Sequence, residues 1–213
     1  MQMVYSACMK YSFAGVILLA VALSACTRRP VQKDIPIDHN SMGNSQMDHN
    51  KMVNSPGAEK APYELQFIDT MIVHHQGAID AAQLVATRAQ HAELEELANS
   101  IISDQQREIT QMKDWRKSWF ADAAPAVNFD LPGMKEGMHG MDLAKLDSLK
   151  ENGFDLEFIE QMIPHHEGAV TMAKDVLARD DVHPELRTLA ENIVRSQNEE
   201  IDRMQAWQKE WKQ

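Results

Sequence analysis

Two segments of nearly identical sequence, MIVHHQGAI (Met71–Ile79) and MIPHHEGAV (Met162–Val170), decide the fold of this 213-residue chain. Each is followed by a second matching segment, QQREITQMKDWRKSW (Gln105–Trp119) in the first case and QNEEIDRMQAWQKEW (Gln197–Trp211) in the second. Segments of this length that recur in the same order indicate an internal duplication.

The apolar residues of both copies follow alternating steps of three and four, which is the spacing of one helix face. Strand signals are absent from the sequence. Repeat one (64–119) and repeat two (155–211) are therefore predicted to be helical hairpins, which bury their apolar stripes best against each other. This predicts an all-α fold, a ferritin-like antiparallel four-helix bundle over residues 61–213, in which the long connector of residues 120–154 crosses between the hairpins.

Three local features add detail to this bundle. Asp155 is the expected N-cap of the first helix of repeat two. Pro164 lies inside that helix, where the missing N–H predicts a kink that re-aims His165 and His166. A short helix is expected in the connector near Leu143–Leu149.

The beginning of the chain has the layout of a cleaved secretory signal over residues 1–25. Lys10 precedes the apolar run Phe13–Leu23, and small residues lead to Cys26. A cysteine directly after a small residue resembles the bacterial lipobox, so we predict that Cys26 is lipidated; the alternative is an ordinary signal peptide cut near Ala25. The protein is then exported to the cell envelope and lipid-anchored facing the periplasm, and Thr27 after the cysteine favours the outer membrane in a Gram-negative host.

Two segments outside the repeats are rich in methionine and histidine. Residues 26–60 are predicted to be a disordered tether, because polar residues and proline dominate there. We interpret the methionines and histidines of both segments as accessory, metal-gathering residues. In the tether they are His39, Met42, Met47, His49 and Met52, and in the connector segment MKEGMHGM they are Met134, Met138, His139 and Met141.

Charge and cysteine content exclude some classes of partner and site. The formal net charge of −11 argues against nucleic-acid binding, which requires clustered Lys and Arg. The chain has two cysteines, Cys8 inside the signal and Cys26 at the lipidation position, so the remainder holds neither a free thiol nor a disulfide. Soft metal ligands must then come from methionine and histidine.

Polar residues occupy bundle positions at which an apolar residue is expected. They are His75, Gln105, Glu108, His166, Gln197 and Glu200. A buried carboxylate must pair or bind something. His–Glu hydrogen bonds can satisfy such a layer without a metal, and a metal can satisfy it too.

Methionines next to the histidine pairs favour a soft metal. Met71 and Met162 each lie one turn before a pair, on the same helix face. Met172 lies seven residues after His165, but Ala81 stands at the matching position of repeat one, so the two sites are expected to be unequal. The Glu-x-x-His motif of di-iron bundles is missing from both pairs. Thioether and imidazole ligands select Cu(I), and Cu(II), Ag(I) and Zn are other ions that such ligands accept.

The paired M-I-x-H-H-x-G-A helices, each followed by Q-x-x-E-I-x-x-M-x-x-W, resemble the CopM-like family of exported copper-binding proteins over about residues 60–213. The resemblance implies a ferritin-like four-helix bundle that handles copper. It carries the family's Met and His positions to Met71, His74, His75, Met162, His165, His166 and Met172. Glu108 and Glu200 on the facing helices complete the set of candidate metal ligands.

The function expected from these observations is an envelope-located protein that sequesters or transfers copper and is not an enzyme. Its partners would be the metal ion, the membrane through its lipid anchor, and copper-handling envelope proteins. Two alternatives stay open. One is a ferritin-like metalloenzyme with a redox metal in the core, with Glu108 and Glu200 as ligands or bases. The other is a metal-free structural or partner-binding bundle, in which a His–Glu–Gln network fixes the helix register.

Overall fold

The regular elements of residues 53–212, which the computed structural model describes, are all helical, and this confirms the predicted all-α class. A 3-10 turn at Ala58–Lys60 precedes the helices. The six α-helices are α1 (Tyr63–Arg88), α2 (Ala92–Trp119), α3 (Met134–His139), α4 (Leu143–Ser148), α5 (Glu151–Leu177) and α6 (Pro184–Trp211). No helix in this range has both the length and the apolar character needed to cross a membrane.

The four long helices pack as two hairpins. α5 and α6 form the most extensive helix pair, α1 and α2 form the next, and the hairpins meet along α1 and α5. Each hairpin has a short turn between its helices, which keeps them antiparallel. The predicted bundle of two helical hairpins is therefore the observed architecture.

The bundle core contains two large apolar clusters at opposite ends. Cluster one joins the start of α1, the end of α2, the end of α5 and the start of α6, and includes Phe67, Ile68, Met71, Met112, Met172, Leu186 and Ile193. Cluster two joins the other ends of the same helices and includes Ala81, Val85, Leu97, Phe154, Phe158, Met162 and Met204. Every long helix therefore passes from one cluster to the other, and the middle of each helix lies between them.

The first helix of repeat two differs from its prediction. α5 begins at Glu151, so Asp155 is not an N-cap but a fully buried residue in the second turn. Its carboxylate binds the α1–α2 turn of the other hairpin instead, which a local capping rule cannot anticipate. α5 continues as one helix through Pro164, and the predicted kink stays a prediction.

The end of the predicted tether is part of the folded domain. The sequence assigns residues 53–60 to the tether, but Ala58 is buried and the Ser55 N–H donates to the Val127 carbonyl at 2.8 Å. The Asn54 side chain accepts from the Phe129 N–H at 2.8 Å. The signal, Cys26 and the tether residues His39, Met42, Met47, His49 and Met52 lie outside the described residues.

The connector is packed against the bundle, although its methionines and its histidine were interpreted from the sequence as metal-gathering residues. Its segment MKEGMHGM forms α3, followed by the short helix α4 close to the predicted Leu143–Leu149. Met134, Met138 and Met141 are buried, and only His139 of this group is exposed. Met134 and Met138 pack in cluster one and Met141 packs in cluster two, so the three methionines belong to the core of the bundle.

Candidate metal centre

A layer of polar side chains lies at mid-height in the bundle, between cluster one and cluster two. All four histidines of the duplicated motif belong to it, and all are fully buried: His74, His75, His165 and His166. Gln105 and Gln197 from the second helix of each hairpin are buried in the same layer. Helical spacing positions these groups, because His75, His166 and the two glutamines follow the stripes of their helices, and His74 and His165 lie three residues after Met71 and Met162.

One histidine of each pair is held by a glutamate of the same hairpin. His75 Nε2 lies 2.7 Å from Glu108 Oε2, and His166 Nε2 lies 2.7 Å from Glu200 Oε2. A carboxylate oxygen only accepts, so Nε2 carries the hydrogen and Nδ1 carries the lone pair. This is how a carboxylate orients a metal-binding histidine. Glu108 and Glu200 therefore lie on the Nε2 side of the imidazoles and act as hydrogen-bond acceptors.

The other two histidines meet across the interface of the two hairpins. The ring centroids of His74 and His165 are 3.8 Å apart, whereas each lies more than 6 Å from the neighbouring ring in its own pair, at 6.3 Å and 6.2 Å. Burial holds the pKa of His74 well below its usual range, and the three nearby imidazoles lower it further. His74 is therefore an uncharged imidazole at neutral pH, which is the form that binds metals.

Several buried polar atoms of this layer lack a hydrogen-bond partner within residues 53–212. The backbone carbonyl of His165 exerts a small opposing effect on the His74 pKa, but neither ring nitrogen of His74 makes a hydrogen bond of normal geometry. Nδ1 of His75, Nδ1 of His166 and the side-chain amide of Gln105 also lack partners. Each such group costs roughly 1–3 kcal/mol, so their concentration in one layer calls for an explanation such as a bound ion.

The layer does not form a closed cage of hard or borderline ligands. Across the part of the chain that the structure describes, no three His, Cys, Asp or Glu side chains surround a common point as metal ligands would. Methionine is a further ligand type that the interior of the bundle offers. All eight methionines between residues 53 and 212 are buried: Met71, Met112, Met134, Met138, Met141, Met162, Met172 and Met204.

The methionines are distributed unequally about the polar layer. Cluster one contains five of them, including the predicted ligands Met71 and Met172. Cluster two contains three, including Met162, and it also contains Ala81. Met172 therefore lies with the methionine of the other repeat and not with Met162, because α1 and α5 run in opposite directions. The presence of Met172 in one repeat and Ala81 in the other therefore distinguishes the cluster-one side of the polar layer from its cluster-two side.

The connector helix α3 covers the contact between His74 and His165. A Cβ built on Gly137 would lie 2.8 Å from His74 Nε2, closer than real Cβ contacts permit. A Cβ built on Gly168 would lie 2.5 Å from the Gly133 carbonyl oxygen and 2.8 Å from the Gly137 Cα. Glycine at these positions is what lets the α3 backbone reach the histidines.

The α1–α2 turn is clasped to the other hairpin by a histidine that sequence analysis missed. His91 Nδ1 lies 2.6 Å from Asp155 Oδ2, and the same carboxylate accepts the backbone N–H groups of Gln90 and His91. The His91 ring stacks on Trp211 with 3.9 Å between centroids. Asp155 is thus a buried anchor between the hairpins.

An equivalent clasp lies at the opposite end of the bundle. His183 in the α5–α6 turn lies 2.8 Å from Glu64 Oε2 and stacks on Trp119 at 4.0 Å between centroids. The His183 N–H also donates to Glu64. The internal repeat could have revealed both clasps, because each residue of one clasp has a counterpart of the same type at the matching position of the other copy.

Comparisons with known proteins agree with this architecture. The family model described as Domain of unknown function (DUF305) matches residues 64–212. Solved structures of CopM in its Cu(II)-bound, Cu(I)-bound and Ag-bound forms match with TM-scores of 0.61, 0.60 and 0.59 and with identities of 42%, 41% and 41%. They cover 70%, 71% and 70% of this chain and 97%, 99% and 96% of their own.

A DUF305 fragment from Deinococcus radiodurans matches with a TM-score of 0.60 and 30% identity, covering 70% of this chain and 97% of its own. No curated protein gave a significant match. The relatives that were solved with metal are thus bundles of the same kind, and the resemblance inferred from the duplicated motif is confirmed.

Proposed function

This chain belongs to the DUF305 family of CopM-like proteins, and from that premise we propose that it binds copper in the polar layer of its bundle. The observation that carries the proposal is the contact of His74 with His165. Two fully buried imidazoles meet there at 3.8 Å between centroids, and His74 is uncharged and has no normal hydrogen bond within residues 53–212. With metal–nitrogen bonds of about 2 Å, one ion at the edge of this pair can reach both rings after small rotations.

The remaining residues of the layer support this pair. His75 and His166 present their Nδ1 lone pairs toward the protein interior, while Glu108 and Glu200 fix their tautomers. Met71 and Met172 in cluster one and Met162 in cluster two are further thioether candidates, one or two helical turns from the histidines of their own helices. Such ligands favour Cu(I). CopM has been solved with Cu(I), Cu(II) and silver, which supports the same ions as cargo here.

The biological role we propose is sequestration or transfer of copper in the cell envelope, without catalysis. The predicted signal and the predicted lipidation of Cys26 support an exported, membrane-anchored protein facing the periplasm. Copper-handling envelope proteins are the partners that such a role requires. The tether residues from His39 to Met52 would gather the metal for the bundle.

A metal-free structural bundle is the second candidate, and one observation favours it. His75 and His166 are each paired with a glutamate at 2.7 Å, so the two pairs stabilise the hairpins without any ion. The pairs leave His74 without a role, however. Copper binding accounts for His74 as well, and is therefore the function we put forward.

Competitive titration with Cu(I) against a chelator of known affinity tests the proposal. We expect a Kd well below about 1 μM, which corresponds to more than about 8 kcal/mol. His74→Leu and His165→Leu should each weaken binding, while His139→Leu, a matched change at an exposed histidine, should leave it unchanged. Thermal unfolding of each metal-free variant shows that it is folded. Equal affinity of all four proteins, or micromolar binding by the unsubstituted protein, would contradict copper binding in the layer.

A further inference from the structure

The connector helix α3 rests on α5 at a backbone-to-backbone contact. A Cβ on Gly168 would clash with Gly133 and Gly137, and a Cβ on Gly133 would lie 2.4 Å from the Gly168 carbonyl oxygen. Gly133 also has a φ of 88°, which favours glycine. Three glycines therefore fix α3 at one height on α5, next to the second histidine pair.

This contact directs one connector methionine to the central histidines. A Cβ built on Gly77 would lie 3.8 Å from Met138 Sδ and 3.6 Å from His165 Nε2. The sulfur and the ring nitrogen thus both lie within 4 Å of one point. On the same helix, Gly137 faces His74 Nε2. α3 therefore borders both histidines of the central contact, and the sulfur of Met138 lies at this border.

We propose that Met138 supplies a thioether ligand to the ion held by His74 and His165. The centre of the site then combines one imidazole from each hairpin with one sulfur from the connector between them. A thioether with two imidazoles is a donor set suited to Cu(I), and burial of all three groups excludes water from the ion. This inference rests on the proposed function and adds a residue outside both repeats.

The competing explanation is that Met138 only fills space, since methionine packs irregular gaps well. A change from methionine to leucine keeps the volume and removes the sulfur, and it usually costs less than about 1.5 kcal/mol of stability. Met141 provides a matched control. It is equally buried and lies just after α3, but it packs in cluster two with Leu146 and Phe154.

Cu(I) titration and X-ray absorption at the copper edge, on the full chain with Met138→Leu and Met141→Leu, test the inference. Met138→Leu should lose at least about tenfold in affinity and one sulfur from the copper coordination shell. Met141→Leu should lose neither. The same affinity and sulfur number for both variants would overturn the role of Met138 and leave copper binding by the protein intact. Failure of the unsubstituted chain to bind Cu(I) would overturn both proposals.

A substitution at Gly77 tests the same point without removing a ligand. Gly77→Ala places a methyl group against Met138 Sδ and His165 Nε2 at ordinary packing distances, so the fold should tolerate it. We expect a thermal midpoint at or above that of the unsubstituted protein, together with at least about tenfold weaker Cu(I) binding, because the methyl hinders closure of the two donors on one ion. Unchanged affinity would contradict a site at this position.

Discussion

The two hairpins share their chemistry and differ in their surroundings. The His75–Glu108 and His166–Glu200 pairs have the same 2.7 Å separation, as a duplicated sequence predicts. The matching glycines differ: a Cβ at Gly77 would meet its neighbours at ordinary packing distances, whereas Gly168 contacts the α3 backbone. The duplication therefore sets a symmetric polar layer, and the connector, which occurs once, makes that layer unequal.

The two turn clasps show a second difference of the same kind. Asp155 is fully buried and accepts from two backbone N–H groups and from His91. Glu64 is partly exposed, and its partner His183 is 45% exposed against 24% for His91. One end of the bundle is therefore fastened by a desolvated carboxylate and the other by a solvent-accessible one.

The largest effect we predict separates these two ends. Asp155→Ala removes a buried charged acceptor and leaves the Gln90 and His91 N–H groups unpaired, at a cost of about 3 kcal/mol in the free energy of unfolding. Glu64→Ala should cost about 1 kcal/mol, because water can replace the lost carboxylate. Urea unfolding of both variants measures the difference, and equal destabilisation would show that the clasps are equivalent.

The next effect compares the two glycines of the duplicated motif. Gly168→Ala forces α3 away from α5 and should cost about 2 kcal/mol, as overpacking in a rigid core does. Gly77→Ala meets only ordinary contacts and gains up to about 1 kcal/mol of helix propensity. Opposite shifts of the thermal midpoint are expected. Two shifts of the same sign would mean that α3 does not distinguish the hairpins.

The smallest effect concerns the feature that the hairpins share. Glu108→Gln and Glu200→Gln each weaken the orientation of one histidine, so each should reduce Cu(I) affinity by about tenfold, equivalent to about 1.4 kcal/mol. The two reductions should be equal because the two pairs have equal geometry. A competition titration compares them, and a loss confined to one variant would assign the metal to one hairpin.

The polar layer could be predicted from sequence because helical periodicity alone places its members. His75, Glu108, His166 and Glu200 each interrupt an apolar stripe at a step of three or four, and all four lie where that spacing predicts. The position of Met172 could not be predicted, because it depends on the antiparallel packing of α5 on α1. Its seven-residue spacing from His165 predicts a side of the helix but not the cluster in which Met172 packs.

The connector was the least predictable part of the chain. α3 has only six residues, contains Gly137 and is flanked by Gly133 and Gly140, so it carries no periodic signal. Its place is set by the contact of Gly137 and Gly133 with Gly168, which are distant in sequence. Asp155 was misassigned for a similar reason. Its partners His91 and Gln90 belong to the other hairpin, and local capping rules do not include such partners.

The most direct measurement is a crystal structure of the protein soaked with Ag(I), with the metal located by anomalous scattering. We predict the strongest peak at the contact of His74 with His165, within about 2.5 Å of a nitrogen of each ring. Peaks confined to exposed groups such as His139, with the two rings still 3.8 Å apart and no metal between the hairpins, would contradict copper binding in the polar layer.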